Sequence, residues 1–160
     1  MMHAAAFRRV FEYHLRANDM VWHLCDALDD ARFDQQDGYG HGSIRAELMH
    51  LLDVDLVWFS ALHRRPPGDA LSPAASRAEL HRQRHAVATM MRAWLAALDD
   101  AHLFQQPIRE PAEDRGLFVW QVLIHVINHG TDHRAQLLRR LHDLGVATPP
   151  QDFIFDLAEH

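Results

Sequence analysis

Apolar residues recur at helical spacing along four stretches of the chain, with polar residues filling the rest of each turn. From about 7 to 28 the stripe is Phe7, Val10, Phe11, Val21, Cys25 and Leu28, interrupted by His14 and Asn18. From about 44 to 62 it is Leu48, Leu51, Leu52, Trp58, Phe59 and Leu62, with Ser43 placed to cap the first turn. The third stripe, over about 74–98, holds Leu80, Val87, Met90, Met91, Trp94, Leu95 and Leu98. The fourth, over about 117–144, holds Trp120, Leu123, Ile127, Leu138 and Leu141 and stops at Gly145.

Residues 34–43 carry glycines at 38, 40 and 42 and read as a turn, because a Gly-x-Gly pattern suits phosphate only after a strand. The prolines of 64–73 separate the second helix from the third. Residues 101–116, with two prolines and no period, predict an extended loop or a short hairpin around Phe104–Ile108. Beyond Pro149-Pro150, the apolar tail Phe153 to Leu157 predicts a short C-terminal helix. The whole pattern predicts an all-α, four-helix bundle, residues 1–160 forming one domain. Its long connection falls between helices two and three or three and four.

At 48% hydrophobic and 24% charged residues the chain lies in the ordinary globular range, not the disordered one. A net charge of −6 without a basic stripe argues against a nucleic-acid partner, and no apolar run is long enough to span a membrane. One cysteine, Cys25, excludes an intrachain disulfide, and a cytoplasmic location is the default expectation. The absence of lysine excludes Schiff-base chemistry and a Walker-type phosphate loop, and there is no Gly-x-Ser-x-Gly elbow. Any chemistry therefore rests on His, carboxylates, Arg, Tyr or a metal.

His125, His129 and His133 stand four apart on the fourth helix and form a ladder along one face, a spacing at which two imidazoles can reach one ion. Fourteen histidines give roughly one such pair by chance, and His81 with His85, pointing away from the core face, reads as a solvated surface pair. His50 lies about 100° from the centre of its apolar face, at the border of polar and apolar sides. The ladder flanks its own stripe in the same way, so the two can meet in a cleft between helices.

These residues fall into two blocks. The first has Tyr13 and Asn18 on helix one, then Gly42-Ser43-Ile44-Arg45 leading to Leu48-x-His50, and Trp58 eight residues later. The second runs His125-Val126-Ile127-Asn128-His129-Gly130-Thr131-Asp132-His133-Arg134-Ala135-Gln136. Together they resemble the DinB-like (damage-inducible) metalloproteins, with Ala135 where glycine is usual and Asp132 where histidine is frequent. The resemblance implies a four-helix bundle, commonly a homodimer, with His50, His129 and His133 as metal ligands and His125 in support. It also implies one divalent ion, for which a histidine-only site accepts zinc or nickel. Relatives include thiol-dependent transferases and isomerases.

Three histidines leave open coordination positions, which favours an enzyme over a structural site. The expected activity is that of a metal-dependent thiol S-transferase or isomerase acting on a small-molecule electrophile. Cys25 reads as core, so a low-molecular-weight thiol would be supplied as cofactor. Asn18, Tyr13 or Asp132 would orient ligands, and Arg134 or Arg140 would clamp an anionic thiol or substrate. The alternatives are a non-catalytic, stress-related metal- or small-molecule-binding module, favoured if Asp132 or His125 supplied a fourth ligand, and a metal-dependent hydrolase.

Overall fold

The computed structural model describes residues 2–68 and 71–159; Asp69 and Ala70, within the proline-rich connection, lie outside the described residues. Its helices are α1 (Ala4–Asp26), a single turn α2 (Asp30–Phe33), α3 (Ile44–Leu62), α4 (Arg77–Ala96), α5 (Val119–Asp143) and the short α6 (Phe153–Glu159). There is no strand among the described residues. The hairpin option for 101–116 is thereby replaced by two 3₁₀ turns, His102–Phe104 and Ala112–Asp114. Asp99 Oδ1 accepts from the His102 N–H at 2.8 Å and Gln105 O from the Val119 N–H at 3.0 Å, so the backbone is satisfied locally.

Helix ends follow side-chain chemistry. Ser43 accepts from the Ala46 N–H at 3.1 Å, as expected, and Ser76 with Glu79 forms a capping box on α4. At the far end of α5, Gly145 adopts φ +82° and the Val146 N–H returns to Leu141 O at 2.9 Å, closing the helix on a left-handed residue.

Helix α5 packs against both α1 and α3, while α4 packs on α3 and touches α1. The core is divided in two along the bundle. One apolar cluster gathers Phe11, Leu15, Phe59, Met91, Leu123 and Val126; the other gathers Val21, Trp22, Leu48, Leu52, Leu137 and Leu141. On α1, α3 and α5 the sequence passes from one cluster to the other through polar residues, and these meet in a buried layer.

At its centre the fully buried Arg134 guanidinium donates to Asn18 Oδ1 at 2.8 Å, Gln151 Oε1 at 3.0 Å and Thr131 Oγ1 at 3.0 Å, and meets His14 Nδ1 at 3.2 Å. His14, also without exposure, has Nε2 3.1 Å from Asn18 Nδ2 and 3.9 Å from Asp55 Oδ2. Tyr13 donates its hydroxyl to Gln151 O, and Arg16 grips Asp156 at 2.8 and 2.6 Å, fastening the C-terminal segment across α1.

This layer explains Gly130 in the middle of α5. A Cβ there would lie 2.3 Å from His14 Cε1 and 3.0 Å from Arg134 Nη1, so the bare backbone is what lets His14 reach across. It also corrects two roles expected from the sequence. The donors of Arg134 are spent inside the bundle, and Asn18 and Tyr13 serve this layer and the C-terminal segment. The α5 stripe is rotated as well: Val122, Val126 and Leu137 are buried with Leu123 and Leu141, while Trp120, Ile127 and Leu138 are half-buried at its flank.

Candidate metal centre

The histidine site lies at the height of the polar layer, where α3 and α5 run side by side. His50 Nε2 of α3 stands 3.0 Å from His129 Nε2 of α5, and the His129 and His133 ring centroids are 4.2 Å apart. The His50 ring lies 4.7 Å from that of His133. The three residues carried over from the resemblance are thus neighbours in space. His125 continues the ladder 5.7 Å from His129, and its exposed ring meets the Trp58 indole edge-on at 5.2 Å.

A fourth imidazole, His41 in the glycine turn before α3, joins them. His41 stacks on His50 with centroids 3.9 Å apart and planes at 25°, and one ligand atom from each of His41, His50 and His133 lies within 4.8 Å of the other two. Its placement depends on the glycine loop. Gly40 (φ +53°) and Gly42 (φ +92°) take conformations that side chains disfavour, and a Cβ on Gly40 would sit 2.9 Å from Glu47 Oε2.

Glu47, fully buried and three residues before His50, is another residue the sequence did not single out. One carboxylate oxygen accepts from His133 Nδ1 and the other accepts from the His41 backbone N–H at 3.2 Å. A carboxylate that can only accept fixes the proton of His133 on Nδ1 and leaves Nε2 as the lone-pair nitrogen. Arg140 completes the brace, lying 3.8 Å from Glu47 Oε2 and donating to Asp37 Oδ1 at 2.9 Å and to Tyr39 O. Its Nη2 holds the loop, while Nε and Nη1 are buried without a hydrogen-bond partner among the described residues. Asp132, expected among the orienting groups, meets only Gln136 Nε2, at 3.4 Å, among the described hydrogen bonds.

The electrostatics suit a cation held by neutral rings. Burial, then the neighbouring His133, His50 and His125, push His129 down to about 4. Burial, His41 and His133 likewise lower His50. Two ring nitrogens 3.0 Å apart cannot both carry protons, so this donor set fits a divalent ion better than it fits its own protonation. His50, His129 and His133, with His41 beside them, are the residues that would hold one.

Elsewhere, His81 and His85 stay apart from the centre. His81 pairs with Asp26 Oδ1 at 2.9 Å and packs on Trp22, more engaged than a solvated residue, while His85 is exposed. Cys25 is buried in the core as expected, and burial raises its thiol to about 12. An apolar groove of about 410 Å³ between α1 and α5 is lined by no titratable side chain. A larger cavity of about 640 Å³ is lined by Val57, Trp58 and Ala61, by the arginines Arg64, Arg65 and Arg109, and by the carboxylates Glu110 and Asp114. Trp58 ties it to the ladder through His125. No helix among the described residues is long and apolar enough to cross a membrane.

The chain is 23% identical over 154 residues to Protein DinB of Bacillus subtilis (strain 168), covering 91% of this chain and 90% of that protein. The model of the DinB family matches residues 1–159. With that match over nearly its whole length, and with the motif histidines meeting between α3 and α5, the chain belongs to the DinB family.

Proposed function

We propose that this protein is a metal-dependent enzyme that brings a low-molecular-weight thiol to a small electrophile, as a transferase or an isomerase. The observation that carries the reading is the convergence of His50, His129 and His133 at a half-buried position, with a buried carboxylate on His133. A divalent ion held there would supply Lewis acidity and bring a thiol or water to its anion near neutral pH.

The chain's own residues do the rest. His50, His129 and His133 hold as neutral imidazoles, Glu47 fixes the donor nitrogen of His133, and Trp58 with His125 leads from the site toward the 640 Å³ cavity. The cavity's apolar wall suits the body of a small molecule, and its lining carries both arginines and the carboxylates Glu110 and Asp114. Cys25, raised to about 12 and buried in the core, does not serve as the thiol, which therefore comes from solution.

The test is a panel of thiols and electrophiles assayed with zinc- or nickel-loaded protein, with His50→Ala as control. Thiol consumption that depends on the metal and disappears in the variant supports the reading; equal rates with both proteins remove it. The second reading, a non-catalytic metal-binding module, draws its support from His41, whose ligand atom lies within 4.8 Å of those of His50 and His133; together with His129 it would close a tetrahedral ion.

A further inference from the structure

The donors around the centre differ in how they are held. His50, His129 and His133 project from long helices, and the backbones of those helices are pinned by both halves of the core. His41 projects from a loop between two glycines, and its side chain is exposed. Its backbone is fixed through Glu47, and the loop beneath it is fixed by Arg140 and by the Gly42 N–H to Tyr39 O bond at 2.9 Å. Among the described contacts, its ring meets only His50 and His133. The anchor is rigid and the imidazole is free to turn about its own side-chain bonds into solvent.

We propose that His41 is a fourth nitrogen donor to the ion, closing the coordination sphere at rest and swinging away when an incoming donor such as a thiol takes its position. This inference rests on the metal reading above and adds to it a built-in competitor for the cofactor's place. It also reconciles the two arrangements at the site. His50 is common to both: its ligand atom lies within 4.8 Å of those of His41 and His133, and its Nε2 stands 3.0 Å from His129 Nε2. A tethered imidazole competes at an effective concentration in the millimolar range, so it excludes dilute adventitious ligands while yielding to a thiol present at comparable concentration. Glu47 couples the two states, because the carboxylate that orients His133 also holds the His41 backbone at the distance from which its ring reaches the site.

The experiment uses the full chain loaded with cobalt(II), titrated with 2-mercaptoethanol and followed by its sulfur-to-metal absorption, with X-ray absorption counting nitrogen donors. Wild type should show four histidine nitrogens, and His41→Ala should show three while still binding one ion. The thiol concentration at half-saturation should fall about tenfold in the variant, because the competitor is gone. Because His41 is exposed on a loop, the variant is expected to fold; circular dichroism checks this, and His41→Gln provides a second, bulkier replacement. Equal nitrogen counts in wild type and both variants would overturn the proposal. So would loss of one nitrogen with no change in thiol half-saturation, which describes a fixed structural ligand. Wild type that binds no stoichiometric cobalt removes the metal reading itself, an outcome distinct from either.

Discussion

Gly130→Ala sets two physical effects against each other in one residue. Alanine is favoured over glycine by about 1 kcal/mol in the interior of a helix, so helix propensity alone makes the variant more stable. Against this, the new Cβ would lie 2.3 Å from His14 Cε1 and 3.0 Å from both His14 Nδ1 and Arg134 Nη1. His14 is fully buried and cannot retreat without moving its ring, so the overpacking costs about 1–3 kcal/mol. Displacing the ring also weakens the contact from Arg134 Nη1 to His14 Nδ1, worth about 1.5–3 kcal/mol for a bond to a charged group. The net expectation is a loss of about 2–4 kcal/mol. For a chain of this length that corresponds to a melting temperature lower by about 5–15 °C. Urea unfolding of the metal-free protein, followed by circular dichroism, measures it directly. A variant as stable as wild type, or more stable, would show that helix propensity wins and that the close approach of α1 to α5 is not as described.

Other expectations follow from the site. Metal analysis of His129→Ala should find stoichiometric binding abolished, whereas His81→Ala and His85→Ala should bind as wild type; undiminished binding in His129→Ala would refute the assignment. Glu47→Gln keeps the shape but loses the charge on His133 and should weaken metal affinity by about 10–100-fold, read by competition with a chromophoric chelator. An unchanged affinity would mean that the carboxylate only braces the loop. Without metal, stability should fall as pH drops from about 6.5 toward 4, because the unfolded chain takes up the His129 proton in that window and the folded chain, held down to about 4, does not. That contribution is fully present above about 6.5; a His129→Gln variant should have a shallower pH slope, and equal slopes would exclude His129 as its source.

The helices were legible because their apolar residues keep the 3.6 period, and Ser43 and Gly145 mark ends by local chemistry alone. His50, His129 and His133 were legible because helical spacing and the motif place them on facing borders. His41 and Glu47 were not. The loop that carries His41 owes its shape to Arg140, a hundred residues further along the chain, and no local pattern announces that pairing. Glu47 looks like a routine charged residue in the first turn of α3 until the histidine it orients arrives from another helix. On α5 the expected stripe does meet the core, Leu123 and Leu141 within it and Trp120, Ile127 and Leu138 packed against it, but side-chain size alone does not mark the centre of the buried face. Packed between α1 and α3, the helix turns the smaller Val122 and Val126 inward, with Gly130 and Arg134 in line, and leaves Trp120 and Ile127 at the edge.

The buried polar layer also acts as a register lock for the bundle. Amphipathic helices with uniform apolar faces can slide past one another by a turn, about 5.4 Å, and still bury comparable area. Here such a slide of α5 would carry the Arg134 guanidinium away from His14, Asn18 and Gln151 and into the level of Phe11 and Leu15 or of Val21 and Trp22. An uncompensated buried charge costs about 3–5 kcal/mol, enough to depopulate the slipped state by two orders of magnitude or more. Since Arg134 directly follows His133 in the chain, the alignment that satisfies the guanidinium is the one that brings the α5 ladder level with His50.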